Sequence, residues 1–261
     1  MNDSAVLYHQ LIDEDSSKPW FVILHGLFGS SPNFTSLAKA LAPHYRVIRM
    51  DLPNHGRSYH TPEHNYPLMA KAVLDSLDQL GVEQFSLLGH SMGGKVAMQI
   101  AAEASSRLDD LIVVDISPVA YPLNSHSDVL KALNGVDFTV ASSRQDIDAQ
   151  MAPFVTDPNL RQFLMTNLSR VAGGFEWRVN LPVLTRDYAN IAAAPDLPAS
   201  YEKTCLFIRG GASDYITAEH SALIKNHFPN MQLDTIDGAG HWLHAEKPLE
   251  FWQSLSKFLS I

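Results

Sequence analysis

The sequence predicts an α/β domain: a mostly parallel central sheet covered by helices on both faces, with an inserted helical cap. Three observations predict it. Short, wholly apolar runs alternate with longer amphipathic stretches along most of the chain. Most of those runs are apolar at every position, as strands of a parallel sheet must be when helices cover both faces. The alternation breaks once, after Pro118, and resumes near Thr204.

The elements follow in order. Ala5 to Ile12 alternates loosely and predicts an edge strand, followed by a polar turn from Asp13 to Lys18. Trp20 to Leu24 is a buried strand that runs straight into His25-Gly26-Leu27-Phe28-Gly29. Pro32 to Pro43 has helical spacing, with Phe34, Leu37, Ala38 and Leu41 on one face. Tyr45 to Met50 is the next strand, ending in the turn-rich loop Asp51 to Ser58. Pro67 to Leu80 is amphipathic and stops at Gly81. Gln84 to Leu88 and Leu111 to Ile116 are further buried strands, with a helix between them from Lys95 to Ala104. From Pro118 to about Asn190 the patterns are helical and no strand is convincing. Then come a strand at Thr204 to Ile208, a helix at Thr217 to Phe228, a strand at Met231 to Ile236 and a last helix at about Pro248 to Leu259. The expected division is a core formed by residues 1–117 and 191–261, with a helical cap at 118–190.

Composition narrows the classes of function. The 261 residues fit one large domain with an insertion. Hydrophobic residues at 46% and charged residues at 18% predict a sizeable core. A net charge of -9 offers no attraction to nucleic acid or to an anionic membrane surface. Met1 to Pro19 carries Asp3, Asp13, Glu14 and Asp15 and lacks the apolar run of a signal peptide. No stretch reaches the length of a membrane span. The expectation is a cytoplasmic monomer or dimer acting on a small molecule. The single cysteine, Cys205, lies in an apolar run and predicts a buried thiol.

The chemistry centres on Gly89-His90-Ser91-Met92-Gly93, between a predicted strand and a predicted helix. A strand that turns sharply into a helix needs small residues on both sides of the turn, and it pushes the apical side chain into the open. Here the apical residue is Ser91. A serine hydroxyl is a poor nucleophile without a base in hydrogen-bond reach, and the base needs an acid to fix its tautomer. In an open parallel sheet these groups belong on loops at the carboxyl ends of strands. Of the twelve histidines, His241 fits best, in a glycine-rich loop just past the last strand. Two aspartates follow strands and can serve as the acid: Asp115 and Asp214. The backbone N–H groups of Met92 and Leu27 are the expected oxyanion donors, with Leu27 preferred to Phe28.

Other features carry blander readings. His90 flanks the turn and His55 sits in a loop, so both are expected to be structural. Arg57 is expected to be a solvated loop charge. His241 and His244 are three apart, but no H-E-x-x-H pattern or acidic ligand set accompanies them, and no metal is expected. The phosphate loop G-x-x-x-x-G-K-[ST] is absent, and no cofactor is expected. His244 is expected to pack at the start of the last helix. The aromatic residues of the cap are first of all its core, some of them lining an acyl pocket.

Together these residues resemble the α/β-hydrolase superfamily over essentially the whole chain. More closely, the chain resembles the YbfF-type esterases of bacteria. The matching stretches are His25 to Ser30, Asn54-His55-Gly56, Gly89 to Lys95, Asp115 to Val119, Trp177 to Leu184 and Gly238 to Trp242. The resemblance implies a carboxylester hydrolase with a small helical cap, acting on short to medium acyl esters or on acyl-CoA thioesters. It also implies Asp115 as the acid, since the position matching Asp214 is not always acidic in that family. The resemblance leaves room for other serine-dependent chemistries on this fold, carbon–carbon bond hydrolysis or cofactor-free perhydrolysis, and for a non-catalytic ligand-binding member.

Overall fold

The computed structural model describes residues 5–12 and 17–261. Most of the turn expected from Asp13 to Lys18 lies outside the described residues.

Nine strands are present among the described residues: β1 (His9–Ile12), β2 (Trp20–Leu24), β3 (Arg46–Met50), β4 (Phe85–His90), β5 (Leu108–Val114), β6 (Leu168–Val171), β7 (Gly174–Trp177), β8 (Cys205–Gly210) and β9 (Met231–Ile236). All except β6 and β7 form one seven-stranded sheet in the order β1-β3-β2-β4-β5-β8-β9. β1 runs antiparallel at the edge, and every other pairing in this sheet is parallel.

The helices are α1 (Thr35–Leu41), α2 (Tyr66–Gln79), α3 (Met92–Ala104), α4 (Ser127–Asn134), α5 (Arg144–Met151), α6 (Pro158–Leu164), α7 (Leu181–Arg186), α8 (Tyr188–Ala192), α9 (Ala218–His227), α10 (Leu243–Glu246) and α11 (Pro248–Leu259). Single-turn 3-10 helices precede α1 and follow α3 and α6.

Strand residues alternate between two cores. Val22, Leu24, Leu87, Leu111 and Val113 join the core shared with α2, α3 and the segment between β5 and β8. Phe21, Ile23, Leu88, Ile112 and Val114 join the core under α1 and α11. This is why stretches such as residues 21–24 and 111–114 are apolar at every position: successive side chains point to opposite faces and both faces are dry there. Burying each such side chain stabilises the fold by about 1.5–3 kcal/mol. Cys205 is fully buried in the first core, and burial pushes its thiol up to about 12.

Local signals set the helix boundaries. Asn65 caps α2, its side chain accepting from Leu68 N at 2.9 Å, with Pro67 in the first turn. Past the end of α2, Gly81 takes a left-handed φ of 69°, which glycine adopts without penalty.

β2 pairs with β3 on one side and with β4 on the other. Strand order therefore reverses around β2, and the loops after β2 and β4 come together at the carboxyl end of the sheet. That crevice is where open α/β sheets place their ligands.

The segment between β5 and β8 holds α4 to α8, but it is not wholly helical. β6 and β7 form a two-stranded hairpin, with Leu168 opposite Trp177 and Arg170 opposite Phe175. The strands are only four residues long and Leu168-Ser169-Arg170-Val171 does not alternate, so no period of two stands out. The signal was the Gly173-Gly174 pair, where Gly173 turns with φ 94°. Among the described residues no helix is long and apolar enough to cross a membrane.

Candidate active site

Ser91 stands at the apex of the turn from β4 into α3, with φ 54° and ψ -120°. Such a backbone conformation costs a non-glycine residue on the order of 1–3 kcal/mol and persists only where the surroundings hold it. Here they do. Ser91 N donates to Val114 O (2.9 Å), while Ser91 O accepts from Gly94 N (2.8 Å) and Lys95 N (3.1 Å). The flanking glycines are required by contact. A Cβ on Gly89 would lie 2.1 Å from Gly93 O, and one on Gly93 would lie 2.5 Å from His25 O.

His241 lies in the loop after β9, and its ring bridges two residues from distant parts of the chain. Ser91 Oγ donates to His241 Nε2 at 2.9 Å. His241 Nδ1 donates to Asp115 Oδ2 at 2.7 Å. A carboxylate acts only as an acceptor, so this contact fixes the proton on Nδ1 and leaves Nε2 to accept from the serine.

Asp115 is fully buried just past β5, with φ 50°. Its carboxylate is well supplied with donors. Oδ2 also accepts from Ser213 Oγ (2.5 Å), and Oδ1 accepts from Gly210 N (3.0 Å). Of the two aspartates proposed from the sequence, the structure brings Asp115 to the histidine. Asp214 is exposed at the surface. Its neighbour Ser213 is the residue of that loop that turns inward; strand-end position alone did not separate the two aspartates, and the resemblance favoured Asp115.

The loop after β2 carries Leu27. His25 is fully buried and shapes this loop: Nδ1 donates to Gly26 O (2.8 Å) and Nε2 accepts from Leu52 N (3.0 Å). Burial holds the His25 ring below its ordinary pKa, which suits this neutral form. A Cβ on Gly26 would come within 3.1 Å of Ser91 Cβ, so glycine lets the two loops approach closely. Asn167, from the insertion, donates to Phe28 O at 2.7 Å. Among the described residues, the N–H groups of Leu27 and Met92 have no protein acceptor. Both residues line a small pocket beside Ser91.

His241 is held from several sides. Its carbonyl accepts from His90 Nε2 (2.9 Å). His90 is fully enclosed, and burial keeps its pKa well below the ordinary histidine value. Glu246 brackets the histidine: Oε2 accepts from Gly240 N (2.6 Å) and Oε1 from Trp242 N (3.2 Å). His244, three residues on, plays a different part. It stacks on Phe34 with ring centroids 4.5 Å apart, and burial lowers its pKa to about 4. His55 is buried under the loops, its Nδ1 donating to Pro53 O (3.0 Å). Arg57 is exposed, with Nη1 donating to Tyr8 OH (3.2 Å).

Two spaces meet at Ser91. An outer cleft of about 920 Å³ runs past His241 and Trp242 to Leu160, Phe163 and Leu164 of the insertion. An inner pocket of about 30 Å³ lies behind Ser91, bounded by Tyr66, Lys95, Tyr121 and Tyr188. Ser91, Leu27, Ser125, His126 and Tyr215 border both. Of the aromatic residues between β5 and β8, Phe163 faces the outer cleft. Trp177 instead packs on Phe138, with ring centroids 5.4 Å apart.

Fold and constellation together define a class, and comparison with known proteins agrees. The α/β hydrolase fold family model matches residues 19–155, and the chain belongs to that family. Within it, the chain is of the YbfF type. It is 38% identical to esterase YbfF of Escherichia coli (strain K12), over 92% of each chain. It is 39% identical to the sn-1-specific diacylglycerol lipase ABHD11 of Mus musculus, over 97% of this chain and 85% of that one. Among solved structures, a marine microorganism esterase superposes with a TM-score of 0.93 at 34% identity, covering 97% of this chain and 99% of that one.

Proposed function

We propose that this protein is a serine carboxylester hydrolase that works through an acyl-enzyme on Ser91. The observation that carries the reading is the unbroken line from Ser91 Oγ through His241 to the buried Asp115, at 2.9 and 2.7 Å. The relatives named as an esterase and a lipase support the same reaction class.

Ser91 Oγ attacks the ester carbonyl as His241 Nε2 takes its proton. The N–H groups of Met92 and Leu27 receive the developing oxyanion, each contributing on the order of 3 kcal/mol to the transition state. The buried Asp115 carboxylate stabilises the imidazolium that forms. His241 then protonates the leaving alcohol, and a water activated by the same ring releases the acid.

The apolar lining of the cleft supports a choice of substrate class. We assign short to medium acyl esters to it, with acyl-CoA thioesters as the second class to test. We take residues 118–190 as the cap that closes the cleft from above. Its Leu160, Phe163 and Leu164 supply an apolar wall suited to an acyl chain.

Ser91→Ala is the direct test. The variant is expected to fold, to lose turnover of p-nitrophenyl butyrate and to lose labelling by a fluorophosphonate probe. Near-normal turnover would overturn the assignment.

A further inference from the structure

Lys95 follows Ser91 by one turn of α3, and its side chain is almost completely buried at 1% exposure. Among the described residues it has no carboxylate partner. Its Nζ donates instead to three backbone carbonyls: Val119 O (2.8 Å), Ala193 O (2.5 Å) and, more distantly, Ala192 O (3.4 Å). Val119 lies where the chain leaves the sheet after β5, and Ala192 and Ala193 lie where it comes back toward β8. One amine thus joins both crossings of the insertion to the helix that begins at the nucleophile.

The surroundings reinforce the same joint. Nζ lies 4.7 Å from the Tyr121 ring centroid and 5.5 Å from that of Tyr66. Tyr121 N donates to Ala192 O (2.8 Å), and Tyr66 OH donates to Ile191 O (2.5 Å). Packing alone does not call for a lysine here. An unpaired buried ammonium is expensive, and burial pulls this one down to about 7. An apolar residue of similar length would fill the space without that penalty. The amine's acceptors are all backbone carbonyls, which leaves no donor for a substrate group.

We propose that Lys95 is a positioning residue that fixes both crossings of the insertion against the Ser91 turn and so sets which acyl chains the cleft accepts. The proposal rests on the reading of Ser91 as nucleophile. With Lys95 in place, the apolar wall of Leu160, Phe163 and Leu164 keeps its distance from Ser91. Without it the wall loosens, and long acyl chains lose more than short ones.

Lys95→Met keeps the length and removes the donors. Kinetics of p-nitrophenyl acetate and octanoate, normalised to fluorophosphonate-titrated sites, compare two substrates that differ only in the acyl chain. The expected result is an about tenfold fall in the octanoate-to-acetate ratio of kcat/KM, carried by KM for octanoate. A merely structural role lowers the titrated fraction and the melting temperature but leaves the ratio unchanged, and that result overturns the proposal. If K95M does not fold, Lys95→Arg carries the test, since it keeps charge and donors. Its ratio is expected within about threefold of wild type, and a fall of tenfold or more overturns the proposal. Failure of the nucleophile reading shows separately, as wild-type protein that the probe does not label at Ser91.

Discussion

Tyr215 lies nearly flat against His241, with ring centroids 4.1 Å apart and planes 23° from parallel. The backbone of Tyr215 is itself fixed, its carbonyl accepting from Tyr121 OH (2.6 Å) and Ser117 Oγ (2.8 Å). An aromatic face favours a cation beside it, and His241 becomes cationic when it takes the serine proton. Tyr215→Ala is therefore expected to lower kcat about tenfold, and Tyr215→Phe, which keeps the ring, by less than about threefold. Steady-state kinetics on p-nitrophenyl butyrate check this. Equal losses in the two variants would show that the hydroxyl matters and the stacking does not.

The two aspartates separate by the same assay. Asp115→Asn keeps the shape but lets the histidine take the wrong tautomer, and a loss of about 10⁴ in kcat is expected. Asp214→Asn, at an exposed site, is expected to stay within about twofold of wild type. The reverse pattern would move the acid to Asp214.

Glu246 accepts from the N–H groups on both sides of His241. Glu246→Gln places a donor against one of those N–H groups, and the loop is expected to shift. The prediction is an about tenfold loss in kcat, with a melting temperature within about 2 °C of wild type. A loss confined to KM would contradict a role in placing the histidine.

The glycines of the Ser91 turn meet backbone rather than flexible side chains. Gly89→Ala is expected to be the more severe change, because backbone at 2.1 Å cannot give way without moving β4 or α3. Little soluble protein, or a melting temperature lowered by more than about 10 °C, is the expected outcome on expression and thermal unfolding. A stable, active G89A protein would show that the turn tolerates far more than the contact allows.

Buried histidines predict the acid response. Burial lowers the pKa of His64, His126 and His244 to about 4 each. These rings stay neutral in the fold but bind protons in the unfolded chain below its ordinary value of 6.5. The unfolded state then holds more protons, so stability falls as the pH drops through 6.5 toward 4. Above 6.5 their contribution is complete. Thermal unfolding between pH 6.5 and pH 4.5 checks this: the melting temperature declines as the pH falls, less steeply in His64→Gln. A melting temperature that rises on acidification would refute it.

The α/β class, the mostly parallel sheet, the glycine-flanked turn at Ser91 and the glycine-rich loop at His241 are legible along the chain. These are local properties. A strand dry on both faces is apolar throughout, as in Val113 and Val114, and a turn without room for a Cβ carries glycine, as at Gly89 and Gly93. The hairpin of β6 and β7 left a weaker trace, because four-residue strands show too few alternations to stand out. What tertiary structure alone decided was which side chains face each other. Asp115 and Asp214 both follow strands; the resemblance favoured Asp115, and the packing of the loop after β8 turned Ser213 inward and left Asp214 at the surface. Tyr215 and Lys95 reach their partners by the same cause. Their contacts join segments whose distance in space is set by strand order and close packing, and no residue pattern along the chain records that distance.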